Sequence, residues 1–253
     1  MATRLVCANT TRSRRTAIYN ERRQGGRDAA VAMSSIGSET HRRQRQPLLI
    51  RLTHWLNVPL LAIMAGSGLQ ILVAYPYMGP QGEPYSWYPL QGFVPPSWLR
   101  VGGWLAGARQ WHFAVAWFLV INGIIYLIYE IATGEWRRRA FIPQRDSANA
   151  LRMFAYYLRI RKEPPPEDFY NGLQRASYTG AIVLAILVVL SGLAIYKPLQ
   201  LHWLLSIFGS YDVARLIHFL CLVALAAFAL MHVVLVALHP RTFVDMITGG
   251  RRA

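Results

Sequence analysis

Four long apolar stretches divide this 253-residue sequence and restrict its possible folds more than any other feature. They lie at 52–75, 110–129, 177–196 and 216–238, and none contains Asp, Glu, Lys or Arg. A helix crosses the hydrocarbon core of a bilayer in about 20 residues, so each stretch is long enough to span a membrane. Because the stretches lack the alternation of barrel strands, they predict an all-α integral membrane protein with a bundle of four transmembrane helices.

The basic residues predict how this bundle is oriented. Of the 27 Lys and Arg residues, 23 lie in segments 1–51, 131–176 and 239–253, and four lie in the loops at 76–109 and 197–215. The positive-inside rule therefore places both termini and the second loop in the cytoplasm. Five of the eight tryptophans lie near the opposite interface, as an aromatic belt would: Trp87, Trp98, Trp104, Trp111 and Trp203. We call the two ends of the bundle the arginine-rich end and the tryptophan-rich end.

This distribution of charge also predicts what the protein contacts. Lipid is expected around the bundle. Because the basic residues follow membrane sidedness, the net charge of +15 does not indicate nucleic-acid binding.

The sequence outside the bundle divides into a tail and short surface segments. Residues 1–46 are polar and Arg-rich, and we expect a disordered cytoplasmic tail preceding a membrane domain at 47–250. Cys7 and Cys221 fall in the tail and the fourth helix, so no disulfide is expected. The patterns at 149–162 and 199–208 predict short interfacial helices.

Four histidines occur at matched depths in the predicted bundle. His54 and His232 belong to the arginine-rich end, and His112 and His218 belong to the tryptophan-rich end. His218 and His232 are 14 residues apart on helix four, so they lie about 21 Å apart on nearly the same face. Two imidazoles facing each other across a bundle are what a six-coordinate haem b requires. The pattern predicts two haems b, with iron ligands in the pairs His54/His232 and His112/His218.

Other residues near these histidines are candidate contacts of the cofactor. Arg51, Arg109 and Arg215 lie close to ligands, at depths where haem propionates would emerge, and are predicted as cofactor-binding residues. Five glycines in the helices could admit a flat macrocycle or a neighbouring helix: Gly66, Gly68, Gly123, Gly180 and Gly192.

Two other functions remain open from the residues alone. The chain could be a haem-free anchor for a partner enzyme, or a histidine-lined transporter of metal ions or protons. A transporter would usually carry carboxylates or broken helices at the membrane midplane, whereas Glu130 lies at a helix end. No two of the four histidines have the i, i+3 or i+4 spacing of a zinc or copper site.

Several motifs resemble those of a known family. Arg51-Leu52-Thr53-His54-Trp55 opens the first helix, and His112 lies on the second. Tyr170-Asn171-Gly172-Leu173-Gln174-Arg175 leads into the third helix, and the fourth carries His218 and His232. Over about 47–250 the chain resembles the prokaryotic cytochrome b561 or di-haem cytochrome b subunits of nickel hydrogenases, formate dehydrogenases and thiosulfate reductases.

The resemblance implies a multi-pass subunit of the bacterial cytoplasmic (inner) membrane, part of an oxidoreductase complex rather than a stand-alone enzyme. Such subunits pass electrons between the quinone pool and a partner catalytic subunit through two haems b, with an exchangeable quinone or quinol as substrate. The implied partner is a hydrogenase, an iron-sulfur subunit or a molybdopterin oxidoreductase. The implied axial ligands are His54, His112, His218 and His232.

Overall fold

Helices make up the regular structure of the described part of this chain. The computed structural model describes residues 46–166, 170–238 and 240–250, so the predicted tail lies outside the described residues apart from Gln46. Eight α-helices and no strand occur in this part of the chain. They are α1 (Leu48–Leu72), α2 (Leu105–Thr133), α3 (Trp136–Arg139), α4 (Pro143–Tyr157), α5 (Gly172–Tyr196), α6 (His202–Phe208), α7 (Tyr211–Leu238) and α8 (Pro240–Thr248). The all-α prediction is confirmed.

Four of these helices, α1, α2, α5 and α7, are long and apolar enough to cross a membrane. Each begins four or five residues before the charge-free stretch that predicted it. The helices therefore continue past their apolar segments and include Arg51, Arg109 and Arg215. Large apolar side chains such as those of Trp117, Phe118 and Leu230 face outwards, as expected for helices in contact with lipid.

The spanning helices pack as two antiparallel pairs, α1 with α2 and α5 with α7. Polar contacts join the first pair: the Asn122 amide donates to the Thr53 carbonyl at 2.9 Å and to Asn57 Oδ1 at 2.8 Å. Such interhelical hydrogen bonds help to hold membrane helices together, because lipid offers no competing partner. They fix the part of α1 that carries His54 against α2.

The surface helix α4 differs from its prediction at both ends. It begins at Pro143 and ends at Tyr157, whereas the pattern predicted 149–162. Proline suits the first turn of a helix, where its missing N–H would have no helical partner. Arg159 has a positive φ of 59°, which interrupts helical geometry before the predicted end. The predicted short helix at 199–208 corresponds to α6.

The segment Tyr170–Arg175 anchors the start of α5 to α4. Asn171 and Gln174 form a capping box, in which each side chain accepts a hydrogen bond from the other residue's backbone N–H. Gly172 leaves no room for a side chain, because its Cβ would lie 2.5 Å from the Asp146 carbonyl oxygen. Arg175 donates to the buried carboxylate of Asp146 at 2.9 Å. Asn171, Gly172, Gln174 and Arg175 therefore fix the position at which α5 begins.

The helix α8 is hydrogen-bonded to the beginning of α1. The indole of Trp55 and the guanidinium of Arg51 each donate to the Met246 carbonyl at 3.2 Å. The Gln46 backbone N–H donates to the Gly249 carbonyl, also at 3.2 Å. These bonds place the two ends of the described chain side by side at the arginine-rich end.

Candidate haem-binding histidine pairs

The four histidines on the spanning helices meet in two pairs, each formed with α7. The ring centres of His54 on α1 and His232 are 6.0 Å apart, and those of His112 on α2 and His218 are 6.2 Å apart. Each pair has an interplanar angle of 65°. The structure therefore brings together the residues that the sequence pattern grouped by depth.

The spacing within each pair fits one metal atom between two imidazoles. Two metal–nitrogen bonds of about 2.0–2.1 Å, with the nitrogens at the facing ring edges, put the ring centres about 6 Å apart. Within the described ranges, no three His, Cys, Asp or Glu side chains converge as a bare metal ion would need. A porphyrin supplies four equatorial nitrogens itself, so two histidines complete its iron. The donor set therefore fits haem better than an ion.

Two buried serines support the pair at the tryptophan-rich end. Ser67 Oγ lies 3.0 Å from His112 Nδ1 and donates to the Ile63 carbonyl at 2.6 Å. Ser191 Oγ lies 3.2 Å from His218 Nδ1 and donates to the Leu187 carbonyl at 2.6 Å. A hydroxyl has one proton to donate, and each of these serines donates it in a hydrogen bond to the backbone carbonyl of its own helix.

With their protons directed to the carbonyls, the serine oxygens can accept hydrogen bonds from Nδ1–H groups of the two histidines. A proton on Nδ1 leaves the Nε2 lone pair free, which is the form that binds a metal. The Val188 carbonyl, 2.9 Å from His218 Nδ1, favours the same tautomer. Neither serine is predicted from the sequence, although the triplet Ser-Gly-Leu occurs at 67–69 and again at 191–193.

The glycine of each triplet lets the histidine ring approach the neighbouring helix. A Cβ on Gly68 would lie 3.3 Å from His112 Cε1, and one on Gly192 would lie 3.0 Å from His218 Cε1. The other predicted glycines lie against other groups or beside open space. Gly66 packs against Val101, whereas Gly123 and Gly180 have nothing within 4 Å of a built Cβ.

Aromatic rings surround the pair at the arginine-rich end. The ring of His232 stacks on Phe228 one turn earlier, with centres 5.9 Å apart, and meets the Tyr178 ring at 6.3 Å. The ring of His54 meets Trp55 at 5.5 Å. Phe228 and Tyr178 were not predicted as site residues. The i, i+4 spacing of Phe228 and His232 is the signal that could have found the first of them.

The three predicted arginines lie at the bundle ends, where each contacts protein groups. Arg215 donates to the carbonyls of Tyr75 and Tyr77, and its guanidinium lies 4.9 Å from the Tyr75 ring. The Arg109 guanidinium lies 5.7 Å from the Phe113 ring, and Arg51 is bound to Met246 as described above. Their role at haem propionates stays a prediction.

Among the described residues, one further histidine lies outside these pairs: His202 is on α6, where its Nδ1 is 3.4 Å from Ser206 Oγ. His41 and His239 lie outside the described residues.

The membrane-spanning part of the chain is similar to known proteins. The model of the prokaryotic cytochrome b561 family matches residues 45–249. A protein of Azospira oryzae, which its name describes as a protein-methionine-sulfoxide reductase subunit, YedZ1, is 39% identical over 204 residues. The aligned region covers 80% of this chain and 95% of that protein. No solved structure matches the chain.

Proposed function

Because the chain belongs to the prokaryotic cytochrome b561 family, and is therefore a haem-binding electron-transfer protein of the membrane, we propose that it carries two haems b. In this proposal His54 and His232 hold one haem, and His112 and His218 hold the other. The observation that carries it is the occurrence of two histidine pairs with nearly equal ring spacing, 6.0 and 6.2 Å, on one shared helix.

The two pairs define a route across the membrane. His218 and His232 are 14 residues apart on α7, which separates the pairs by about 21 Å along the helix. Haem b supplies reversible one-electron chemistry at each level. The four imidazoles would hold the haems, and the hydroxyls of Ser67 and Ser191 would orient one pair. With two imidazoles for each iron, the haems would supply electron transfer rather than oxygen binding.

We propose that a quinone or quinol exchanges electrons at the arginine-rich end and that a partner enzyme docks at the tryptophan-rich end. In a bacterial cytoplasmic membrane, the charge bias assigns these ends to the cytoplasmic and external faces. The external loops expose Trp87, Trp98 and Trp104, and large aromatic side chains are enriched where proteins dock as well as at membrane interfaces.

The partner in this proposal is a catalytic oxidoreductase in a respiratory electron-transfer chain. The name of the Azospira oryzae relative favours an enzyme that acts on methionine sulfoxide in proteins. The hydrogenase and iron-sulfur partners implied by the wider resemblance have no comparable support in the relative's name.

Quinol-driven reduction tests this function against the two alternatives. The protein is purified in detergent with its haem, mixed with a reduced short-chain quinol, and followed by haem absorbance. We expect haem reduction by the quinol. A haem-free protein would favour the anchor or the transporter, and a haem protein reduced by dithionite but not by quinol would contradict the quinone assignment.

Removing the serine hydroxyls should change the properties of one haem and leave the other unchanged. In Ser67→Ala and Ser191→Ala the imidazole loses a hydrogen-bond acceptor at Nδ1, so the ligand becomes less basic and stabilises ferric iron less. We expect the midpoint potential of the tryptophan-rich-end haem to rise, with up to a tenfold change in its reduction equilibrium, or about 59 mV. A spectroscopic redox titration measures this change.

Ser177→Ala is the matched control, because Ser177 also donates to the carbonyl four residues earlier on α5 but is exposed. It should leave the potentials of the two haems unchanged. Equal shifts in all three variants would show that the effect is not transmitted through His112 and His218.

A further inference from the structure

A buried polar cluster lies at the arginine-rich end, outside the histidine pairs. We call Tyr126, Glu130, Glu135, Arg139 and Tyr170 the Glu130 cluster. Glu130, in the last turns of α2, is only 4% exposed. Arg139 Nε lies 3.3 Å from its Oε1 atom, and Tyr126 lies one turn earlier on the same helix.

The turn after α2 gives this cluster a connection to the surface. Gly134 ends α2 with a φ of 74°, and α3 then brings Arg139 back beside the helix end. The Nε atom of Arg139 is also 3.4 Å from Glu135 Oε2. One guanidinium nitrogen therefore contacts two carboxylates, and the side chain of Glu130 is 6% exposed while that of Glu135 is 22% exposed.

Aromatic rings connect the cluster to the His54/His232 pair. The Tyr178 ring meets the His232 ring at 6.3 Å, and the Tyr170 ring meets Tyr178 at 5.4 Å. Arg139 Nη1 donates to the Tyr170 hydroxyl at 3.2 Å, and its Nη2 donates to Gln46 Oε1 at 3.1 Å. A molecule bound beside the Tyr170 and Tyr178 rings would thus have the histidine pair on one side and the carboxylates on the other.

Stability alone does not account for such a cluster. A buried ion pair contributes little relative to apolar side chains of the same size, because the charges lose their hydration. Ionisable residues inside membrane helices are rare and are associated with function. We propose that Glu130 accepts the protons of a quinol that is oxidised beside the His54/His232 pair. This proposal rests on the quinol oxidation proposed above.

The protons and electrons released by the quinol each have an acceptor in this proposal. Oxidation of a quinol to its quinone breaks two O–H bonds and releases two protons and two electrons. The electrons leave singly to the b haems of the proposed function, which are the oxidants. Each proton in turn goes to the Glu130 carboxylate, then to the Glu135 carboxylate, and from there to water. Arg139 keeps its own protons, since a guanidinium is not deprotonated in proteins, and it holds the two carboxylates close together.

The charged and titratable groups that face Glu130 come from each neighbouring segment. Tyr126 lies on its own helix, Arg139 on α3 and Glu135 in the turn between them. Tyr170, ahead of α5, contacts Arg139. The Arg139 guanidinium, 3.3 Å from Glu130 Oε1, sets a permanent positive charge beside this carboxylate.

Glu130→Gln tests the proposal because it preserves the size of the side chain and removes the base. The holoprotein in detergent is mixed with a reduced short-chain quinol, and the rate of haem reduction is recorded. Equilibrium binding of the oxidised quinone is measured separately, without turnover. We expect the rate to fall at least about a hundredfold, with quinone binding within about threefold of the native value. Glu130→Asp should recover part of the rate.

Asp212→Asn, which removes an acid at the other end of the bundle, is the matched control and should keep the native rate. A native rate in Glu130→Gln would overturn the proposal, and a parallel loss of rate and quinone binding would show a structural or binding role instead. If Glu130→Gln loses haem, Glu135→Gln is tested in its place. We expect haem reduction to be about tenfold slower in that variant. An unchanged rate would contradict the proposal. Native protein that dithionite reduces but quinol does not would overturn the proposed function as well.

Discussion

Replacing His218 with Ala is expected to remove one haem and leave the other in place. Each iron has only two protein ligands in the proposed arrangement, so loss of one imidazole opens the site and weakens cofactor binding severely. His112→Ala should remove the same haem, while His54→Ala and His232→Ala should each remove the other. Haem per chain, measured by the pyridine haemochrome assay on purified variants, should fall from two to one in all four cases.

Double variants test which two histidines hold the same haem. His112→Ala with His218→Ala should still retain one haem, whereas His112→Ala with His54→Ala should retain none. His202→Ala is the control, because His202 lies on α6 outside the pairs, and it should retain the native haem content. A His112 variant that kept two haems would show that the pair at the tryptophan-rich end is wrongly assigned.

Replacing Asp146 with Asn is expected to destabilise the protein more than any change outside the histidine pairs. The Asp146 side chain is 3% exposed and bonds to Arg175 at 2.9 Å, to Arg145 at 2.8 Å and to the Ile142 N–H at 2.8 Å. Breaking a buried ion pair leaves an uncompensated charge, here that of Arg175, which costs about 3–5 kcal/mol. The thermal unfolding temperature in detergent should drop markedly.

The pH dependence gives a second measure of the same contact. The hydrogen bonds from Arg145, with those from Ile142 and Arg175, hold the pKa of Asp146 well below its usual range despite burial. Its contribution to stability is therefore present above about pH 4 and lost as the pH falls further. Asp146→Asn should flatten this acid limb of the stability profile. Asp212→Asn, the control, should keep it, and an unchanged profile in Asp146→Asn would contradict the assigned role.

The four spanning helices could be predicted from the sequence because charge-free stretches of this length have few alternatives in any protein. Their ends could not be predicted as well, because Leu105–Gln110 and Tyr211–Leu216 continue the helical backbone through charged residues. The end of α4 was missed for a local reason, the positive φ of Arg159, which is rare for a residue other than glycine.

The depth of the histidines was sufficient to group them, because one residue of helix corresponds to a fixed rise. The depth of the histidines did not identify the side chains that orient their rings. Ser67 and His112 are on different helices, as are Tyr178 and His232, and their contacts depend on how those helices rotate against each other. Glu130 could be placed at a helix end from the sequence, but its partner Arg139 depends on the turn at Gly134.

The haem content of the native protein tests the central claim most directly. The chain is expressed with adequate haem, purified in detergent, and measured by the pyridine haemochrome assay against protein concentration. Two haems b per chain are expected, one for each histidine pair. One haem would contradict the assignment of a pair, and none would contradict the account of the protein as a transmembrane electron carrier.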